Sequence, residues 1–142
     1  MFPLKKGKEI ETLIAQREPI VMVDALYDYA ENEADTGLTI TQENLFCDGQ
    51  QLTETGLIEH IAQSASVFVG YKAWLAGKPI AMGYIGEVKK FKLNTLPKIG
   101  QEIQTKVKLL HEVMGLLLME AQTFVNGQMI VNCQMKLFLN PA

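Results

Sequence analysis

Thr53-Glu-Thr-Gly-Leu-Ile-Glu-His-Ile-Ala-Gln-Ser-Ala-Ser-Val-Phe-Val-Gly-Tyr-Lys-Ala-Trp-Leu75 is the stretch that decides how this chain folds. It is long, it contains no proline, and it is apolar almost all the way round. Thr53 has the side chain of an N-cap, and Glu54 complements the positive end of the helix dipole. Gly77-Lys78-Pro79 supplies the stop, because glycine accepts the left-handed conformation past a C-terminus and proline cannot continue a helix. At the usual rise per residue the helix is about 33 Å long. A helix this apolar is buried over most of its circumference, so other elements must wrap it. One narrow stripe interrupts the apolar surface: Glu59, Gln63, Ser66 and Gly70, spaced i, i+4, i+7, i+11. A carboxylate on a buried helix, with a carboxamide one turn later, is costly unless it is used or paired. The stripe is therefore either a chemical site or a polar seam satisfied by whatever packs on it.

The rest of the composition narrows the class. The chain has 142 residues, 48% hydrophobic and 20% charged, which suits one domain over 1–142 with a real core. It has no run of about 18 apolar residues free of charge, so no membrane span is expected. The opening Met1-Phe-Pro-Leu-Lys-Lys-Gly-Lys8 has the charge of a signal peptide but no apolar segment behind it, which points to the cytoplasm. Cys47 and Cys133 are too few for a disulfide framework and lack metal-ligand spacing, so neither a metal nor another cofactor is expected. A net charge of −3 argues against a nucleic-acid surface. Seven methionines suit adaptable apolar surface or core filling.

Taken in order, Lys8 to Gln16 predicts a short helix with Ile10, Leu13 and Ile14 on one face, ended by Arg17-Glu-Pro19. Ile20 to Val23 reads as a short strand or turn entry. Ala25–Ala30 and Ala34–Thr41 read as strands around an acidic turn, and Glu43 to Leu52 as a polar loop. Beyond the helix, Ile80 to Leu93 is strand-like but broken by Gly83 and Gly86, a pattern of bulges or close approach. Gln101 to Leu110 alternates, with Ile103, Thr105, Val107 and Leu109 on one side and Gln104, Lys106 and Lys108 on the other. Leu116–Val125 and Gln128–Leu139 flank Asn126-Gly127, a strong hairpin signal, with Met129, Val131, Cys133, Met135 and Leu137 expected to share the inner face. Short helix, two strands, one long buried helix and a meander of strands make an α+β fold, an antiparallel sheet wrapped around one central helix, the arrangement called the hotdog fold. Exposed edges of such a sheet are managed by pairing, so a dimer with a continuous sheet is expected.

Three motifs carry a resemblance to the 3-hydroxyacyl-acyl-carrier-protein dehydratases. Leu13-Ile-Ala-Gln-Arg-Glu-Pro-Ile-Val-Met-Val-Asp24 is similar to that family's opening L-x-x-R-x-P-x-x-x-V-D. Glu59-His-Ile-Ala-Gln63 resembles its helix motif E-x-x-A-Q. Gly86-Glu-Val-Lys-Lys-Phe-Lys92, followed by Leu96-Pro-Lys-Ile-Gly100, resembles its strand and turn. The resemblance implies a dimer with two interface sites, each pairing a loop histidine of one subunit with a helix carboxylate of the other. Glu59 would be that carboxylate, supported by Gln63. A base removes the proton α to the thioester carbonyl, an acid protonates the departing hydroxyl, and a backbone N–H near a helix N-terminus polarises the carbonyl. Gly56, Ser66 and Gly86 would then contact substrate; Lys89, Lys90, Lys92 and Lys98, four lysines in ten residues of a net-acidic chain, are expected to form a basic surface for an acidic carrier protein or, equally, ordinary solvated faces.

The loop before the helix departs from that pattern. Where the family has G-H-F-P-x-x-P-x-x-P-G, this chain has Phe46-Cys-Asp-Gly-Gln-Gln-Leu-Thr-Glu-Thr-Gly56, with neither histidine nor proline. His60 neighbours Glu59 on the helix and points about 100° away, so it is a poor substitute. Cys47 or Asp48 stands nearest the missing histidine. The histidine-less loop resembles the accessory dehydratase-like proteins of aryl-polyene pigment clusters. Three functions follow as alternatives: a 3-hydroxyacyl thioester dehydratase working on acyl carrier protein or coenzyme A thioesters, a catalytically impaired partner subunit of an active dehydratase, or a hotdog thioesterase. Either a homodimer or a heterodimer with another hotdog subunit fits.

Overall fold

The computed structural model describes residues 3–140. Seven strands form one antiparallel sheet: β1 (Lys5–Lys6), β2 (Ala25–Ala30), β3 (Glu33–Thr39), β4 (Met82–Leu93), β5 (Glu102–Val113), β6 (Leu116–Val125) and β7 (Gln128–Asn140), in the order β1-β2-β3-β5-β6-β7-β4. A single α-helix, α1 (Glu54–Leu75), packs against β3, β4, β5 and β6. Thr53 is its N-cap, with extended backbone and Oγ1 accepting from the Gly56 N–H at 3.2 Å. Past the C-terminus Gly77 takes a positive φ of 67°, which costs a glycine little. From Gly56 to Gly70 most of α1 is buried, whereas the last turn lies at the surface. There Trp74 stacks beneath the Lys5 ammonium at 4.0 Å and joins Tyr71 and Tyr29 in an aromatic run that reaches Phe68.

Alternation along the strands delivers the core. Ile103 and Val107 of β5, Leu117, Met119 and Ala121 of β6, and Val131, Cys133, Met135 and Leu137 of β7 are all buried against Leu57, Ile61, Ala65 and Phe68 of α1. The Asn126-Gly127 turn has positive φ at both residues, as a two-residue hairpin loop requires.

Four sequence expectations need correction. The first helix is a 3-10 turn over Gly7–Thr12, although Ile10, Leu13 and Ile14 are buried together as expected. Ile20 to Val23 joins no strand; side chains of α1 bond its backbone instead. The strands after α1 are not one meander. The helix connects β3 to β4, which lie three strands apart in the sheet, and the chain then returns to lay β5 beside β3. Finally, Met129 is 39% exposed and Ile130 takes the buried place, because pairing with β6 passes from Phe124–Met129 to Thr123–Val131 and leaves Ile130 bulged.

Candidate active site

The polar stripe of α1 is the seat of the segment that enters β2. At its C-terminal end, a Cβ on Gly70 would stand 1.9 Å from the carbonyl oxygen of Leu13, so only glycine lets the chain lie that close. One turn back, Ser66 is half-buried beside Ile14, Ala15, Gln16, Ala81 and Gly83, around a cavity of about 20 Å³. Gln16 Oε1 is the buried side-chain oxygen without a partner among the described residues. The cavity is large enough for one water molecule.

Gln63, fully buried, makes every bond its amide can direct forward. Oε1 accepts from the Met22 N–H at 2.6 Å, while Nε2 donates to the Ile20 carbonyl at 2.8 Å and to Glu59 Oε1 at 2.9 Å. The Met22 N–H can only donate, so it fixes which end of the amide carries oxygen. That leaves Nε2 facing Glu59. Glu59 is half-buried, with Oε1 held by Gln63 and Oε2 unbonded among the described residues. The carboxyl thus has one oxygen oriented and the other open to proton transfer.

His60 turns to the other side of the helix and is completely buried. Its Nδ1 lies 2.6 Å from the Met22 carbonyl oxygen and its Nε2 2.8 Å from Thr105 Oγ1. A carbonyl only accepts, so Nδ1 carries the proton and Nε2 accepts from the Thr105 hydroxyl; Thr123 in turn donates to Thr105 across 2.7 Å. Burial pushes the imidazole down to about 4, the Met22 carbonyl opposing only in part, so His60 is neutral at ordinary pH. With no surface exposure it has no route to a substrate. Ser64 and Thr36 complete the buried polar layer: Ser64 Oγ donates to the His60 carbonyl at 2.8 Å and lies 2.7 Å from Thr36 Oγ1. Sequence reasoning set His60 aside as a poor substitute for the loop histidine and gave it no other role; the threonines opposite it on β5 and β6 are the signal that it belongs to a core network.

In the loop before α1, Cys47 and Asp48 have local duties. The Cys47 thiol is raised by burial and by the neighbouring Asp48 charge, and it points to the Thr41 carbonyl at 3.6 Å. Both effects favour the protonated thiol over the thiolate. Asp48 is exposed, and its Oδ1 accepts from the N–H groups of Gln50 and Gln51 in a tight turn. Gly56 is buried, its N–H given to the Thr53 cap and its α-carbon against Phe46 and Leu52. Gly86 lies in β4 beside a register shift and beneath the Phe138 ring, whose Cε2 would stand 2.1 Å from an added Cβ. Lys90 and Lys92, around a second register shift of β4, line a cleft of about 190 Å³ with Glu120, Asn132 and Gln134, and Lys89 is half-buried nearby. Two clefts, of about 550 and 610 Å³, lie around Tyr27, which donates to Glu102, and Glu59 lines neither. Among the described residues no group of three or more His, Cys, Asp or Glu is placed to hold a metal, and no helix is long and apolar enough to cross a membrane.

Known proteins bear out the fold and its chemistry class. The chain is 28% identical over 138 residues to the 3-hydroxyacyl-[acyl-carrier-protein] dehydratase FabZ of Histophilus somni strain 2336, a match over 93% of this chain and 89% of that protein. Its structure is similar to the dehydratase heterocomplex ApeI:P of Xenorhabdus doucetiae, with a TM-score of 0.85 and 16% identity, covering 99% of this chain and 92% of that one. A hypothetical thioesterase of Streptococcus pneumoniae TIGR4, solved with coenzyme A, is more distant, at a TM-score of 0.65 and 8% identity over 82% of this chain and 84% of that one. At such identities the structures attest the hotdog fold alone. The family is decided by the sequence: residues 8–142 match the ApeP-like model, described as the ApeP dehydratase, and the chain belongs to that family.

Proposed function

We propose that this chain is a subunit of a dehydratase that removes water from 3-hydroxyacyl thioesters, and that Glu59 is its catalytic carboxylate. The observation that carries the reading is the Glu59–Gln63 pair: one carboxylate oxygen oriented by an amide whose own direction is fixed, the other unbonded. In the reaction the α C–H bond breaks and a base takes the proton. The electron pair forms the C=C bond, and the β C–O bond breaks as the hydroxyl takes a proton and leaves as water. Two proton movements are needed, and groups of different pKa divide them best near neutral pH. At the α1 stripe this chain offers the Glu59 carboxylate, while the neighbouring His60 is sealed in the core. The second group therefore comes from a partner hotdog subunit carrying the loop histidine this chain lacks, a reading supported by the similarity to a dehydratase heterocomplex. Cys47 and Asp48 shape the loop before α1.

The remaining assignments rest on position. Gly86 on β4 borders the path of the acyl thioester, while Gly56, buried against Phe46 and Leu52, and Ser66, beside a cavity the size of one water, shape the helix beneath it. Lys89, Lys90 and Lys92 receive an acidic acyl carrier protein, in a cytoplasmic setting, with an encounter rate that falls as salt rises. Coenzyme A thioesters are the simpler substrates of the same chemistry. A thioesterase could also use a carboxylate to activate water, but the family membership favours elimination.

The test is turnover of a 3-hydroxyacyl carrier thioester by this chain alone, then with a histidine-containing hotdog subunit. Slow or absent turnover alone and restoration by the partner are expected. Glu59→Gln in the complex should remove about 10²–10⁴-fold of the rate. Equal activity in that variant, or full-rate dehydration by this chain alone, overturns the assignment.

A further inference from the structure

His60 plays no part in the chemistry just described, yet it is a complete polar side chain sealed in an apolar core. Burying an imidazole there is costly unless each nitrogen is bonded, and each one is. What it bonds is informative. The Met22 residue is gripped at both of its polar groups by one turn of α1: its N–H by Gln63 Oε1 at 2.6 Å and its carbonyl by His60 Nδ1 at 2.6 Å. The Ile20 carbonyl takes a third bond from Gln63 Nε2. Residues 20–23 belong to no strand, and these three bonds join that backbone to the helix, alongside the packing of Met22 and Val23 in the core.

The consequence reaches Glu59. The Met22 N–H dictates the direction of the Gln63 amide, and the amide dictates which oxygen of Glu59 is held. His60 holds the carbonyl of the same residue, the next peptide along from the N–H where this order starts. On its far side the ring is braced by Thr105 of β5, itself bonded to Thr123 of β6, so the sheet holds the imidazole and the imidazole holds Met22.

We propose that His60 is a positioning residue for Glu59, acting through the Met22 backbone and Gln63 and never touching substrate. The proposal rests on Glu59 being the catalytic carboxylate, and its test separates the two. An Asn side chain places its amide nitrogen near the position of Nδ1, whereas a Gln side chain reaches the position of Nε2. His60→Asn therefore keeps a donor for the Met22 carbonyl and loses Thr105; His60→Gln keeps Thr105 and loses Met22. The first readout needs no activity: exchange of the Met22 amide and of the Gln63 side-chain amide protons by NMR on the full chain. At least tenfold faster exchange is expected in His60→Gln and little change in His60→Asn.

The second readout is turnover by the complex with its partner subunit. His60→Gln should lower kcat by about tenfold with KM unchanged, because the loss is of alignment and not of substrate contact. His60→Asn should stay within about twofold of the parent. A role confined to stability would move both variants alike and leave kcat intact at permissive temperature. Equal exchange in the two variants, or faster exchange with unchanged kcat, overturns the proposal. Unchanged turnover in Glu59→Gln would instead overturn the assignment of the carboxylate, while the exchange result would stand. If His60→Gln does not fold, His60→Leu, which also lacks the donor, carries the same expectations.

Discussion

Gly70→Ala sets two general rules against each other. By helix propensity the change stabilises, since alanine is favoured over glycine in a helix interior by about 1 kcal/mol. By packing it cannot fit. The new Cβ would stand 1.9 Å from the Leu13 carbonyl oxygen, 2.8 Å from its carbon and 3.0 Å from its Cα, all backbone atoms that no rotamer change can move. Reaching ordinary contact requires a shift of about 1.5 Å, which displaces Leu13 and Ile14, both buried in the core. Overpacking of this kind costs about 1–3 kcal/mol, and rigid backbone on both sides argues for about 3. Offset by propensity, the net loss is about 2 kcal/mol. With a urea slope of about 2 kcal/mol/M the unfolding midpoint falls by about 1 M. Because the displaced segment runs on to Ile20 and Met22, hydrogen exchange over residues 13–22 should quicken as well. A midpoint equal to or above that of the parent chain would refute the argument, since it would mean that the helix and the entering segment are not locked together at Gly70.

Other outcomes follow from the same structure. The unfolded chain takes up a proton at His60 near 6.5 while the folded chain refuses it until about 4, so His60 lowers stability as pH falls through that window, by up to about 3 kcal/mol. Asp24, raised by burial, opposes it, and urea titration between pH 7 and 4 on the parent and His60→Gln isolates the histidine share as a pH dependence that the variant loses. Joint replacement Cys47→Ala and Asp48→Ala should leave turnover of the complex within about threefold, whereas a loss above about 10²-fold would place the second proton transfer in that loop. The outer amides of β4 should become protected from exchange when the partner subunit is added, and unchanged β4 exchange in a stable complex would show that the sheets do not join at that edge.

Much of the fold is legible in the sequence because its signals are local. Thr53 and Gly77 bound the helix within two residues of where it starts and stops, and Asn126-Gly127 fixes the β6–β7 turn. What escapes is what depends on distant partners. Nothing in Lys5-Lys6 marks β1, a two-residue strand made only by pairing with Ala25 and Leu26. The Ile130 bulge turns Met129 outward, and alternation counted along one strand has no means of registering an extra residue. That β4 joins β7 at the far edge is a property of the crossover through α1. Within the site, Glu59 and Gln63 stand out as charge and amide on an apolar helix. His60 is harder to read, because its meaning lies in Thr105, Thr123 and the backbone of Met22, at sequence separations of 38 and more.

The polar stripe turns out to be two things at once, and the division follows the direction of the helix. Gly70 admits the entering backbone, Ser66 borders a cavity the size of one water, and Gln63 binds the backbone two residues before Asp24. Those three positions make a packing seam. At Glu59 the stripe ends in a carboxylate with one oxygen unbonded among the described residues, because Gln63, committed to Met22 and Ile20, has a single hydrogen left to give. The seam thus supplies the order that a carboxylate needs if it is to act at a fixed point. It supplies no second titrating group: the neighbouring imidazole faces the core, and its protonated nitrogen is spent on the Met22 carbonyl. On the proposed reading this is half of an acid–base pair, held rigidly and waiting on a histidine from another subunit. Rigidity in this chain then has a consequence for the complex, since the partner's histidine must find Glu59 already aligned for the two proton movements to occur in one elimination.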